Sequence, residues 1–306
     1  MSKSTNFLLV SHLESSKKRA CNKSFFNKVF KNHLFTKSLE HFHLEYRNRI
    51  FTPLTTVWTF LTQTLSEDHS CRNAVCSLIA STSFTNSKQI STATGAYCRA
   101  RKKLPEEFFS FLTKQIAKLL DSKQENQTWK DFNVKLVDGS DLSIPDTKEN
   151  RKDFQKATNS TGLLKCRIVG IFSLAHGALT DLRIGPFFGK GTGEVSLFRK
   201  MFNSISKGDL LLMDRLFCNF FDMAHLLKKE IHFVVRKNAC MKSNFKKGHH
   251  LGKNDHIITL NRPWNRSDSI NHGKLLKLPR KIQVREMRIK AKRKGFRTKE
   301  LYLIRS

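Results

Sequence analysis

Acidic residues are scarce in this sequence. Its 306 residues include 25 Asp and Glu against 56 Lys and Arg, which gives a formal net charge of +31. Such an excess repels cationic partners and attracts phosphate groups, over a Debye length of about 8 Å at physiological salt. We therefore expect nucleic acid as the partner, although the same balance also fits a protein whose charge serves only solubility.

Long hydrophobic runs are also missing. Near the N-terminus the only apolar stretch is Phe7–Val10, which is too short for a signal peptide. No run approaches the ~18 apolar residues of a membrane span. We expect a soluble, cytoplasmic protein with no membrane partner.

Paired cysteines are absent as well. Zinc ribbons and disulfide frameworks need cysteines at close or paired spacing. The cysteines of this chain are odd in number and scattered, and no two form a CxxC pair: Cys21, Cys71, Cys76, Cys98, Cys166, Cys218 and Cys240. We expect free thiols, as in a reducing cytosol.

The first part of the chain is predicted to be helical. Residues 1–50 are basic with little periodicity, so they fit a partly helical region, a basic arm on DNA or a poorly ordered terminus. Residues 51–125 show the three- and four-residue apolar spacing of helices. This spacing predicts one helix after Pro53, a second over Cys71–Ala80 and a third over Glu106–Leu120.

A basic segment, Gly95–Lys103, lies between the second and third predicted helices. It fits either a helix that contacts DNA or a solvated basic face. On the first interpretation Arg99, Arg101 and Lys102 are DNA-binding residues.

Strand patterns begin near Val134. In residues 130–236 the order is two hairpin strands and then strand–helix–strand–helix–strand, which predicts a ribonuclease H-like mixed α/β sheet. Residues 237–306 are basic, and we expect a β-rich insertion there with strands near Ile257–Leu260, Ile282–Ile289 and Leu301–Ile304.

Two aspartates each end a hydrophobic run of the predicted sheet. Asp138 follows Leu136 and Val137, and Asp214 follows the run Leu210–Met213. If these runs are neighbouring parallel strands, about 4.8 Å apart, their matching ends bring both carboxylates to one metal site. Mg²⁺, or Mn²⁺ in its place, suits such a site because it takes oxygen ligands and keeps waters for the reacting groups.

Other interpretations of these acids stay open. Asp-Gly is a common hairpin turn, so Asp138 also fits a turn residue. Asp141 and Asp146 follow it closely and compete for its role. A third acid normally completes a site with two metal ions.

Two further motifs favour structural interpretations. The segment Gly189–Gly193 lacks the GxxxxGK[ST] spacing of a phosphate-binding loop, so it predicts a flexible turn before a helix that begins at Glu194. His249, His250 and His256 have basic neighbours and no nearby cysteine, which favours exposed loop histidines over a metal site.

Several motifs resemble transposases of the bacterial insertion-sequence-four group. Val137–Thr147 with Glu149 and Asn150 resembles the first acidic motif of that group, and Gly208–Phe217 resembles the second. Further segments resemble the middle section, the helical N-terminal region and the end of the β insertion of that group. They are Ile184–Glu194 for the middle section, Phe51–Pro53, Leu65–Arg72 and Thr94–Arg101 for the helical region, and Gly295–Lys299 for the insertion.

The resemblance implies that Asp138 and Asp214 are the first two members of an Asp-Asp-Glu triad that binds Mg²⁺ or Mn²⁺. The third member of the triad belongs to a Tyr-Arg-Glu signature in a helix after the β insertion, and this sequence contains no such signature. Glu286 and Glu300 lie in strand-like sequence before the expected position, so neither is assigned. We therefore expect a chain truncated before the third acid, with an incomplete ribonuclease H-like domain.

The resemblance also implies a partner: double-stranded DNA, at element ends and target, bound by a homodimer. The basic residues expected to contact DNA are Arg99, Arg101, Lys102, Arg215, Lys292, Arg293 and Arg297.

Three functions follow from these observations. The first is a metal-dependent DNA transposase, defective in this chain because its third acid is missing. The second is a DNA-binding remnant of such an enzyme, which binds DNA and does not cut it. The third is a basic packaging protein, and the length of the matching motifs argues against it.

Duplex DNA should bind this protein in a strongly salt-dependent manner. Neutralising several phosphates releases condensed counterions, so the affinity should fall with a steep negative log–log slope as salt rises. Fluorescence anisotropy of a labelled duplex in increasing NaCl measures that slope. An affinity independent of salt would show that the charge only keeps the protein in solution.

Overall fold

The chain folds as two units with different architectures. The computed structural model describes residues 32–82, 91–123, 129–154, 163–263, 278–290 and 300–306. Its two units are Met1–Gln115 and Ile116–Ser306. Among the described residues, none of the helices is long and apolar enough to cross a membrane.

The described part of the first unit is helical, as predicted. The three predicted helices are present and are slightly longer than their apolar stripes. The helices are α1 (Asn32–His41), α2 (Pro53–Leu65), α3 (Cys71–Thr82), α4 (Gly95–Lys102) and α5 (Glu106–Lys123), of which α5 continues into the second unit.

Local chemistry fixes the start of α2 and the packing of α4. The Thr52 hydroxyl accepts a hydrogen bond from the Thr55 amide at 3.3 Å, and Pro53 occupies the first turn, where its missing N–H costs nothing. Tyr97 of α4 is fully buried and donates its hydroxyl to Gln63 Oε1 at 2.7 Å. Burial raises the pKa of Tyr97 to about 12, so this hydroxyl stays a donor at neutral pH.

The second unit is built on one mixed sheet of nine strands in the order β3-β2-β1-β4-β5-β9-β8-β7-β6. The strands are β1 (Asn133–Ile144), β2 (Leu164–Ser173), β3 (Leu179–Pro186), β4 (Asp209–Met213), β5 (His232–Arg236), β6 (His249–Gly252), β7 (Asp255–Asn261), β8 (Lys281–Lys290) and β9 (Glu300–Arg305). Strands β1, β2 and β3 form antiparallel pairs, whereas β4 is parallel to both β1 and β5. The predicted fold class, a helical region followed by a ribonuclease H-like mixed sheet, is confirmed.

The basic segment after β5 extends the same sheet. Strand β9 pairs antiparallel with β5, and β8, β7 and β6 follow outward. Three of its strands match the predicted β segments, while β6 has no predicted counterpart.

The short helices in the described part of the second unit are α6 (Asn150–Asp153), α7 (Glu194–Arg199) and α8 (Phe220–Lys228), with 3₁₀ turns at Phe202–Ser204 and Arg215–Phe217. Helices α7 and α8 pack their buried side chains into the core of the sheet, whereas α6 buries none. The predicted helix from Glu194 is present but ends at Arg199. Of its apolar stripe, Met201 and Ile205 are buried on either side of the following 3₁₀ turn, and Phe202 within the turn is half-buried. The largest fully buried side chains there include Phe198, Phe217 and Leu211. Burying each contributes about 1.5–3 kcal/mol.

One of the three histidines differs from the prediction. His249 and His250 are exposed as expected, although they lie in β6 rather than in a loop, whereas His256 is fully buried. Its Nε2 lies 3.0 Å from Glu286 Oε2, and its Nδ1 lies 2.6 Å from the Lys247 carbonyl oxygen. The prediction was wrong for His256 because β8, distant in sequence, supplies a buried partner.

Glu286 is the centre of this buried polar cluster. Lys237 Nζ donates to Glu286 Oε1 at 2.6 Å, and the Ser243 hydroxyl donates to the same oxygen at 2.5 Å. Burial acts to raise the pKa of Glu286, but the hydrogen bonds from Lys237, Ser243 and His256 hold that pKa below its usual range. Glu286 therefore has a structural role. This agrees with the sequence analysis, which does not assign Glu286 to the triad.

Removing Glu286 should destabilise the second unit strongly. The Glu286→Ala variant leaves Lys237 buried without its counter-charge, and breaking a buried pair in this way costs about 3–5 kcal/mol. Glu300→Ala is the matched control, because Glu300 is only half-buried and lies 3.9 Å from Lys290. The free energy of unfolding of the Glu300→Ala variant should fall by no more than about 1 kcal/mol. Urea unfolding measures both, and equal losses would contradict the role assigned to the buried cluster.

Candidate metal site and DNA-binding residues

The register between β1 and β4 places Asp138 beside Asp214. Within this parallel pair the last matched residues are Val137 and Met213, and the two aspartates follow them directly. Parallel neighbours lie about 4.8 Å apart, so both carboxylates start from adjacent points at one edge of the β1–β4 pair. Both residues are exposed. The register therefore makes Asp138 and Asp214 neighbours, which the hypothesis of a shared metal site requires.

Asp138 is not a turn residue. Strand β1 continues beyond it to Ile144, and Asp138 is matched with Gly170 of β2 in the antiparallel ladder. The Asp138 Oδ1 accepts a hydrogen bond from the Gly139 amide at 2.9 Å. The Asp-Gly pair thus lies just beyond the last residue of β1 that β4 matches. Strand β4 therefore does not cover Asp138.

The two competing aspartates are neutralised by arginines. Arg167 Nε lies 3.0 Å from Asp141 Oδ1, and Arg151 Nε lies 2.5 Å from Asp146 Oδ1. Within the described ranges, neither Asp138 nor Asp214 forms an ion pair. Their charge therefore remains available to a cation.

A third carboxylate, Glu194, lies at the same place and was not among the residues predicted from sequence. A side-chain carbon at Gly139 would collide with the Glu194 carboxylate, so Glu194 reaches back over the backbone next to Asp138. Burial raises the pKa of Glu194, Arg167 opposes that rise, and the charges of Asp141, Asp138 and Asp214 add to it. The charges of both candidate metal ligands, Asp138 and Asp214, therefore act on the Glu194 carboxylate.

The sequence contains only weak signals for Glu194. It is the first acid after the Gly189–Gly193 turn, and it begins α7 in a chain poor in acids. The glycine after Asp138 is the second signal, because a glycine is required where another group approaches the backbone closely. Neither signal indicates that the two segments meet.

The acids present fit a divalent cation held mainly by two carboxylates. In the described part of the chain, no group of three or more His, Cys, Asp or Glu is close enough to hold a metal ion. Mg²⁺ does not need such a group, because it commonly binds through one or two carboxylates and completes its shell with waters and substrate phosphates. Asp138 and Asp214 suit this mode, with Glu194 beside them.

The predicted DNA-binding residues fall into three situations. Arg99, Lys102 and Arg215 are exposed, and Arg215 directly follows Asp214. Arg101 is engaged inside the helical unit: its Nη1 donates to Gln63 Oε1 at 2.9 Å, and its guanidinium lies 5.5 Å from the Tyr97 ring centre. The remaining three lie outside the described residues, namely Lys292, Arg293 and Arg297.

Comparisons with known proteins found a distant structural likeness. The sequence matches no protein-family model and no curated protein. Among solved structures it is similar to a piggyBac transposase synaptic complex with hairpin DNA, at 10% identity and a TM-score of 0.38. The likeness covers 92% of this chain, which spans 59% of the length of that chain. At this TM-score the likeness does not bear on function.

Replacing Gly139 should move Glu194 and change its pKa. In Gly139→Ala the new methyl group occupies the position of the Glu194 carboxylate, which lies at the end of a flexible side chain and must turn away. Displaced from its buried position and from the aspartates, Glu194 should show a pKa lower than in the wild type, nearer its ordinary value.

Carboxyl-carbon NMR titration measures this change. The pKa of Glu286 serves as an internal control and should not move, because Glu286 lies in the separate buried cluster. An unchanged pKa for Glu194 would show that its carboxylate does not lie over Gly139.

Proposed function

We propose that this chain is a transposase of the bacterial insertion-sequence-four group that acts on double-stranded DNA. It would cleave phosphodiester bonds at the ends of an element and join the freed 3′-OH to target DNA. The observation that carries the proposal is the parallel register of β1 and β4, in which Asp138 and Asp214 are neighbours and, among the described residues, neither forms an ion pair.

The carboxylates have distinct roles in this proposal. Asp138 and Asp214 hold Mg²⁺ or Mn²⁺, with one oxygen of Asp138 oriented by the Gly139 amide. When bound, such an ion lowers the pKa of a water or hydroxyl nucleophile and stabilises the leaving oxygen of a phosphodiester. Glu194, whose pKa is raised by burial and by the nearby aspartates, accepts a proton beside them.

The basic residues hold the DNA. Arg215 is exposed next to Asp214, so its guanidinium can contact a phosphate adjacent to the one that reacts. Arg99 and Lys102 on α4 of the helical unit supply further phosphate contacts. A homodimer on DNA would give each of two element ends its own set of carboxylates.

A second candidate is DNA binding without cleavage. The described residues contain no group of three metal-binding side chains close enough to share an ion, and the sequence lacks the Tyr-Arg-Glu signature. If Glu194 does not act as the third acid, the chain would bind DNA and leave it intact. The two candidates differ only in chemistry, so one assay separates them.

Mn²⁺-dependent nicking of supercoiled DNA should require Asp138, Asp214 and Glu194. The Asp138→Asn and Asp214→Asn variants keep side-chain volume and lose the charge that holds the ion, so nicking should fall at least a hundredfold, or about 2.7 kcal/mol in activation free energy. Glu194→Gln should lower the rate by about tenfold or more.

Asp153→Asn is the matched control, because Asp153 is an exposed acid of the same unit that lies in α6 and not on β1, β4 or α7. Its nicking rate should equal that of the wild type. The Asp138→Asn variant should also lose Mn²⁺ binding. Calorimetry measures that binding and so tests the metal site separately from turnover. Tight duplex binding with no nicking by the wild type would favour the second candidate.

A further inference from the structure

A cavity of about 760 Å³ lies within the helical unit. Its walls are the segment Leu44–Phe51, the start of α2 at Pro53 and Thr56, and the face of α4 that carries Gly95, Ala96 and Ala100. The small side chains of α4 leave the space open. The volume falls within the range of about 300–1,000 Å³ typical of sites for small organic groups.

The rim of this cavity, which we call the helical-unit groove, is strongly positive. Arg47, Arg49, Arg99 and Lys103 line it, and Glu45 is the one acid among the lining residues. All four cations are exposed, and within the described ranges none of them forms an ion pair. The groove therefore presents several positive charges that form no ion pair with a described acid, and this charge attracts an anion.

The floor of the groove is apolar. Leu44, Ile50, Phe51 and Leu104 contribute hydrocarbon surface, and Tyr46 stands at the edge with 53% of its surface exposed. A simple inorganic anion gains nothing from such a floor. The ligand that matches both features has a flat, weakly polar part for the floor and negative charges for the rim.

We propose that the helical-unit groove binds unpaired nucleotides of single-stranded DNA. One or two bases lie against the apolar floor and Tyr46, and the flanking phosphates contact Arg47, Arg49, Arg99 and Lys103. Single-strand sites combine these two elements, a cationic track for the backbone and aromatic or apolar surfaces for the bases. A paired base cannot enter, because its faces are covered by the stack and only its phosphates could touch the rim.

The inference rests on the proposed function in one respect, the choice of DNA as the anion. It adds a site for unpaired strands in the helical unit, a role that neither Asp138 nor Asp214 has in the proposed chemistry. The carboxylates of the proposed chemistry lie in the second unit and the groove lies in the helical unit, with Arg99 shared as a phosphate contact. Tyr46 belongs to the groove alone, so the two proposals can fail separately.

The test compares a labelled twelve-nucleotide oligo(dT) with a twelve-base-pair duplex, both titrated with the full chain by fluorescence anisotropy at fixed salt. The double variant Arg49→Ala/Arg99→Ala and the single variant Tyr46→Ala should each weaken oligo(dT) binding by about tenfold or more, which corresponds to 1.4 kcal/mol. Tyr46→Ala should leave duplex binding within a factor of two.

Arg72→Ala is the matched control, since Arg72 is an exposed arginine on α3 that does not line the groove. Its affinity for oligo(dT) should stay within a factor of two or so of the wild type. Photocrosslinking of a 5-iodouracil-substituted oligonucleotide to the wild-type chain gives a second readout that needs no variant. The crosslinked peptide should contain Tyr46 or Phe51.

Each outcome decides between the proposals. Binding of duplex with no effect of the groove variants on oligo(dT), or crosslinks confined to the second unit, would overturn the groove and leave the transposase proposal standing. Equal losses for oligo(dT) and duplex in Tyr46→Ala would also overturn it, because the groove would then not distinguish unpaired bases. Failure of the wild type to bind either DNA would overturn both proposals.

Discussion

The parallel pairing of β1 with β4 is the interaction on which the candidate site depends. Below the site this pairing is fixed by a buried ion pair, in which Lys135 Nζ lies 2.8 Å from Asp209 Oδ2, and by the fully buried Leu211. A slip of one residue would turn every side chain of β1 to the opposite face of the sheet and separate Asp138 from Asp214. The apolar core and the buried pair therefore set the position of two exposed carboxylates that form no ion pair within the described residues.

Charge balance explains why these two acids can remain unpaired in so basic a protein. Asp141 and Asp146 have arginine partners, and Glu286 is enclosed by Lys237, Ser243 and His256. Asp138 and Asp214 are exposed, so water solvates their charge and folding pays no large desolvation penalty. Burial raises the pKa of Glu194, and the charges of Asp138 and Asp214 add to that rise. A divalent cation would relieve this local excess of negative charge.

Elements with a strong local pattern were predictable from the sequence, and contacts between distant segments were not. The strands that carry the apolar runs before Asp138 and Asp214 were expected because such runs suit a buried strand, although β1 continues past Asp138 to Ile144. The helix at Pro53 was expected because its cap is local. Glu194 was missed because it meets Gly139 only after β2, β3 and the glycine-rich turn bring the chain back. His256 was misjudged for the same reason, since Glu286 lies on another strand. Both failures concern tertiary proximity, which carries no local signature.

The negative charge of the candidate site has one further physical consequence under the proposed function. Asp138 and Asp214 would repel the phosphate that the proposed chemistry must bring to them, and this repulsion is only partly screened at about 4 Å even in water. Exposed cations such as Arg215 beside Asp214 could not cancel the repulsion while they hold neighbouring phosphates. A divalent ion held by the two carboxylates would offset their charge and remove the repulsion. On the proposed function, the same pair of charges would therefore make productive DNA binding depend on the metal and restrict chemistry to the loaded site.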